Sequence, residues 1–169
     1  MFEDHAKLVS LLNLAGEVVG RKKLQKIVYI LKKLDYPFQE KYQFHFYGPY
    51  SEELTLRIEE LCNLGFISEV KESKGGYHQY RYSLTGKGGD FLSHYQIDMP
   101  KLQEFIADLN GQNSKFLELV STILYFENLS KEEIINKVKV VKKKQNYSDE
   151  DIQQAFVFIE QLQSKQSAS

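Results

Sequence analysis

The chain has 169 residues, enough for one ordinary domain or two small ones and too few for most multi-domain enzymes. Lys and Arg number 22 against 23 Asp and Glu, a formal net charge of −1. That balance argues against a protein that holds nucleic acid by bulk charge, since each phosphate contact needs a cation. The lone cysteine, Cys62, excludes an internal disulfide and a Cys-rich zinc site, and fits a reducing compartment. Met1-Phe2-Glu3-Asp4-His5 lacks the basic start and apolar core of a signal peptide. The most apolar window, Phe116 to Phe126, is short of the roughly 20 residues a bilayer span needs and carries Glu118, Ser121 and Thr122. A cytoplasmic, non-membrane protein is the expectation.

Leu8, Leu11, Leu12 and Ala15 recur at helical spacing, and Gly16 stops the run. A short Glu17-Val18-Val19 stretch leads to Gly20 and a second helix from Arg21 to about Leu34. Its apolar stripe is Leu24, Ile27, Val28, Leu31 and Leu34. Pro37 ends it. Residues 41–47 alternate, with Tyr42, Phe44 and Phe46 on one side, and predict an inserted strand followed by a turn at Gly48-Pro49. Ser51 should cap a third helix, with Glu52 and Glu53 in its first turn and Leu54, Ile58, Leu61 and Cys62 as its buried stripe. Strands at 66–71 and 78–84 follow, joined by a loop, and Thr85 begins a fourth helix. Thr85-Gly86-Lys87-Gly88-Gly89 lacks the spacing of a phosphate loop and reads as a helix entry.

This order is that of a winged helix, a helix-turn-helix followed by a β wing, with an inserted strand or hairpin where only a short turn is needed. The expected class is mainly α with a small antiparallel wing (α+β). The division is a winged-helix domain over 1–96, a helical half over 97–163 packed on it, and a disordered tail over 164–169. In the second half, Leu102, Phe105, Ile106 and Leu109 form one helix face, and Phe116–Phe126 reads as a central helix. Ser130 and Ser148 open two capped helices. Lys142-Lys143-Lys144 falls at a helix C-terminus, where cations complement the helix dipole.

Gly20-Arg21-Lys22-Lys23-Leu24-Gln25-Lys26-Ile27-Val28-Tyr29, followed by Phe46-Tyr47-Gly48-Pro49-Tyr50-Ser51, resembles the YwgA family of uncharacterised bacterial proteins over most of the chain. The Leu-Gln-Lys-Ile-Val-Tyr element with a later Tyr-Gly-Pro is similar, more distantly, to the Panacea or SocA-like antitoxin domain. Members of that group neutralise toxins, and some act as proteolytic adaptors. The resemblance implies that Leu24, Lys26, Tyr29, Tyr47, Gly48 and Pro49 are signature positions.

Two faces compete for a functional role. The third helix presents Glu52, Leu56, Glu59 and Asn63 outward; four glutamates stand against Arg57 between Ser51 and Leu64. Such a helix suits a protein partner with Leu56 as the apolar centre better than a DNA major groove. On the second helix, Lys22, Lys26 and Lys33 fall within about 40° of one another, opposite the apolar stripe. With Lys71, Lys74 and Arg81 of the wing they are the candidate surface if DNA is bound. The opposed charges also allow a homodimer. The aromatic segment 42–50 is either core or a groove presenting His45, Tyr47 and Tyr50. The spacing of His5, His45, His78 and His94 fits no metal site, and no nucleophile, base and orienting acid can be assembled. The expectation is a non-catalytic regulatory protein with no cofactor that works through protein contacts, the alternative being a DNA-binding regulator.

Overall fold

The computed structural model describes residues 2–168. The chain runs α1 (Glu3–Ala15), β1 (Glu17–Val19), α2 (Arg21–Lys33), β2 (Gln43–His45), β3 (Gly48–Tyr50), α3 (Glu52–Asn63), β4 (Ile67–Lys74), β5 (Tyr77–Leu84), α4 (Gly86–Leu92), α5 (Leu102–Asn110), α6 (Ser114–Tyr125), α7 (Lys131–Val141) and α8 (Asp149–Ser167), with a 3₁₀ turn at Lys143–Gln145 between the last two helices. It is a mainly α fold with a small antiparallel wing.

The wing is a three-stranded antiparallel sheet ordered β1-β5-β4, in which Val18 lies opposite Tyr82 and Ile67 opposite Leu84. Val18, Ile67 and Tyr82 are buried, which pins the sheet's inner face to the helices. Pairing continues to Lys74 and Tyr77. The expected loop of residues 72–77 is therefore two longer strands and a tight Gly75-Gly76 turn, both glycines at positive φ. His78 is exposed near that turn.

Helix starts follow local chemistry. Ser51 Oγ accepts from the Leu54 amide and Thr85 Oγ1 from that of Gly88. Ser130 with Glu133, and Ser148 with Asp151, form reciprocal capping boxes. Gly88 sits so close to the Phe66 carbonyl that any Cβ would overlap its oxygen, so the glycine-rich run serves helix-to-strand packing.

The core is continuous through both halves, and its axis is α2 packed along α6. In α6, residues from Leu117 to Leu124 are all buried. In α2, burial extends beyond the apolar stripe to Gln25, Lys26, Tyr29 and Ile30. The lysine stripe expected on the outer face of α2 is broken at its centre: α6 and the β2–β3 hairpin bury Lys26, while Lys22 stays exposed and Lys33 partly so.

Of the two forms expected for the insertion, a strand or a hairpin, the chain adopts the second. It is a two-stranded hairpin, with Phe44 opposite Pro49 and the turn at Phe46-Tyr47 rather than Gly48-Pro49. Tyr42 and Phe44 face the core region, whereas Phe46 projects outward and is 65% exposed. At the other end, α8 reaches Ser167, into the segment expected to be a disordered tail. Lys165 pairs with Asp108 at 2.6 Å and Gln166 donates to the Leu34 carbonyl, tying the last turns to α5 and α2. Ser169 lies outside the described residues.

Candidate functional site: a clamped hairpin beside a cleft

The hairpin is fixed by side chains that the sequence places on α2, α6 and α7. Lys26 Nζ donates to the Pro49 carbonyl at 2.6 Å, and Lys142 Nζ donates to the Phe46 carbonyl at 2.9 Å. Both ammonium groups lie near Glu118 of α6, whose carboxylate is 3.3 Å from Lys142 and 3.5 Å from Lys22 and accepts from Gln145 at 3.1 Å. Lys26, Glu118 and Lys142 are all buried. Burial pushes the Lys26 ammonium down to about 7; Glu118 opposes that shift, and Lys142 and Lys22 reinforce it. Burial likewise lowers Lys142, again against Glu118.

Gln25 completes the clamp. Its amide nitrogen donates to the Ser51 carbonyl at 2.8 Å, and its amide oxygen accepts from the Ser51 amide at 2.9 Å. The side chain imitates a strand partner and holds the residue that caps α3. Tyr42 Oη donates to the Gln25 carbonyl, and the Tyr42 ring lies 4.9 Å from that of buried Tyr29. Burial raises the Tyr42 hydroxyl well above its ordinary value. Gly48 has φ +83°, and a Cβ there would stand 3.3 Å from Thr122 Oγ1. The Leu-Gln-Lys-Ile-Val-Tyr and Tyr-Gly-Pro elements are thus two sides of one contact.

A cleft of about 380 Å³ opens beside this clamp, between α2, α3, the hairpin and the wing. Leu24, Leu54 and Ile58 supply apolar surface, Tyr47 and Tyr50 flank it, and Glu59 and Glu69 stand at its α3 and wing sides. Arg21, at the wing side, lies 3.6 Å over the Tyr80 ring, donates to Tyr82 Oη at 3.2 Å and approaches Glu69 at 3.7 Å. Lys22 covers the Tyr47 ring at 4.4 Å. An apolar floor with a few convergent polar groups is the general make-up of a binding site.

The expected site residues separate into distinct groups. Glu52, Leu56, Glu59 and Asn63 all lie exposed along one face of α3, with Leu56 57% exposed and Glu59 also lining the cleft. The candidate DNA surface does not assemble on α2. Lys26 is inaccessible, Lys22 pairs with Glu118, and Lys33 pairs with Glu127 at 2.8 Å. On the wing, Arg81 is held by Glu17 and Glu72, while Lys71 and Lys74 are exposed.

Sequence reading did not anticipate Glu118, Lys142 or Gln25 as site residues. The available signal was Glu118, the lone charge in the largely apolar stretch from Phe116 to Phe126. A carboxylate that α6 must bury requires cations, which Lys22 and Lys142 supply. Among the described residues, no group of three or more His, Cys, Asp or Glu could hold a metal ion, and no helix is long and apolar enough to cross a membrane.

Fold and site together define a class: a mainly α protein with a small antiparallel wing, whose two halves meet on a hairpin clamped by buried lysines. No protein-family model matches the chain. It is 59% identical over 162 residues to the uncharacterized protein YwgA of Bacillus subtilis (strain 168), a match covering 96% of this chain and 98% of that protein. The chain therefore belongs to the YwgA family.

Proposed function

We propose that this protein is a non-catalytic regulatory module of winged-helix type that binds a protein partner, in the manner of an antitoxin or adaptor. The observation that carries this reading is the continuity of the α3 face with the cleft. Leu56 is exposed between Glu52 and Glu59, and Glu59 turns from that face into a cleft with an apolar floor and tyrosine walls. Glu52 and Glu59 have no ion-pair partner among the described residues, and neither does any cation neutralise the outer row of α3. An apolar anchor within a polar rim is the composition of a protein-docking patch. DNA reading through α2 and the wing draws less support, because Lys26 is buried and Lys22, Lys33 and Arg81 are each paired with a glutamate, which leaves Lys71 and Lys74.

The test is affinity capture from the native host with wild type, Leu56→Asp, and the Glu52→Lys/Glu59→Lys double variant, read by mass spectrometry. All three positions are exposed, so thermal stability should be unchanged within about 0.5 kcal/mol. The expected result is a specific protein lost from both variants. The same captured set with all three proteins removes this face from consideration.

A further inference from the structure

We propose that the hairpin tip and the end of α7 form a binding site for single-stranded nucleic acid, separate from the α3 face and independent of the partner reading above. Between Ile134 and Ser148 the chain carries five lysines and no acidic residue. Lys139 is paired with Asp149, and Lys142 is the buried clamp. Lys137, Lys143 and Lys144 are exposed and have no ion-pair partner among the described residues.

Two of those lysines stand beside aromatic rings, one on the hairpin and one at the end of α6. Lys144 Nζ lies 5.4 Å from the Phe46 ring, and Lys137 Nζ lies 5.5 Å from the Phe126 ring. Phe126 touches Phe44 at 5.4 Å, and Phe46 touches Tyr47 at 5.1 Å. Aromatic surface and free ammonium groups therefore run together from α7 onto the hairpin. Phe46 is the exposed end of that run, and its backbone is held in place because its carbonyl accepts from Lys142.

Alternating rings and cations are what an unpaired strand requires. A base stacks on a ring face whatever its identity, and the adjoining phosphate meets the ammonium. Paired bases are already stacked and offer Phe46 no face, so a duplex gains only the charge term. An acidic peptide gains only the charge term too, since carboxylates have no use for the rings. The net charge of −1 does not oppose this, because the positive charge is concentrated between Ile134 and Ser148, with Glu127, Glu133 and Asp149 only at its borders.

The experiment is fluorescence anisotropy of labelled oligothymidylate and oligouridylate of about 15 nucleotides, titrated with the full chain. A duplex of equal length, poly-glutamate of similar length and phosphatidylglycerol vesicles are the competitors. Binding should weaken by about 20-fold between 50 and 200 mM salt if three phosphates are engaged. Phe46→Ala should weaken it about tenfold at constant salt. Lys143→Glu/Lys144→Glu should weaken it and flatten the salt dependence, whereas Lys71→Glu/Lys74→Glu on the wing should leave it unchanged. The two oligonucleotides distinguish DNA from RNA. Each variant is exposed, and its melting curve should match wild type. No anisotropy change at 50 mM salt overturns the proposal, as does equal loss with the wing variant, no effect of Phe46→Ala, or stronger binding of duplex, poly-glutamate or vesicles.

Discussion

Replacing Glu118 with Gln tests the reading of the buried cluster most directly. The substitution keeps the shape of the side chain and its capacity to meet Gln145, while removing the only carboxylate within 4 Å of Lys142 among the described residues. At an effective dielectric of about 20, an ion pair at 3.3 or 3.5 Å is worth roughly 5 kcal/mol before the cost of removing the charges from water. Several kcal/mol of that gain is offset by desolvation of each ion. The loss after substitution is larger than the net value of the pair, because Lys142 and Lys26 would stay buried without an anion. Measured cases of that kind lie at about 3–5 kcal/mol. Urea denaturation at neutral pH should show that loss, and the melting temperature should fall by about 10 °C for a chain of this length. Combining Glu118→Gln with Lys142→Met should recover part of it, since the double variant strands one charge fewer. A loss below about 1 kcal/mol, or strictly additive single effects, would refute the account.

Two further predictions concern the same clamp. Lys26 is protonated in the unfolded chain up to its ordinary value of about 10.5 but only to about 7 when folded. The unfolded state therefore binds the extra proton between those values, and stability should rise with pH from 7 towards 9, at no more than about 1.4 kcal/mol per pH unit from this group. Lys142, also lowered by burial, contributes in the same direction. Lys26→Met should remove much of that rise, while costing about 1–3 kcal/mol at pH 7 because the buried Pro49 carbonyl loses its donor; an unchanged pH profile in denaturant titrations would assign the rise to other groups. Gly48→Ala should destabilise by about 2 kcal/mol, from the left-handed backbone and the close approach to Thr122 together. Adding Thr122→Ala should relieve only the steric share, and a neutral Gly48→Ala would show that the hairpin relaxes freely.

What the sequence disclosed depended on whether the deciding interaction was local. The caps at Ser51, Thr85, Ser130 and Ser148 and the apolar stripes of α2, α3 and α5 are written within a few residues, and the helices formed there. The wing was legible for the same reason. The second face of α2 was not, because its burial is decided by α6, nearly a hundred positions away. A lysine stripe opposite an apolar stripe looks identical whether it meets water or a buried carboxylate. Phe44 and Phe46 look alike in an alternating pattern, and only the hairpin turn between the strands sends Phe46 outward. The tail of α8 was misjudged because its composition is polar, while Lys165 and Gln166 find partners on α5 and α2. The exposed row of Glu52, Leu56, Glu59 and Asn63 was readable, since only one face of α3 is apolar enough to be covered.

The lysine clamp also constrains how the chain can be assembled wrongly. Apolar helices can slide along one another at modest cost, since one leucine packs much like another. A slip of α7 by even one turn would remove Lys142 from the Phe46 carbonyl and from Glu118 at once, leaving the buried carboxylate to Lys22 and the Phe46 carbonyl without its donor. A slip of the hairpin would do the same to Lys26 and Pro49. The cluster thereby makes the docking of the two halves a question of alignment as well as of burial, and misregistered packings that an all-apolar seam would tolerate become expensive ones.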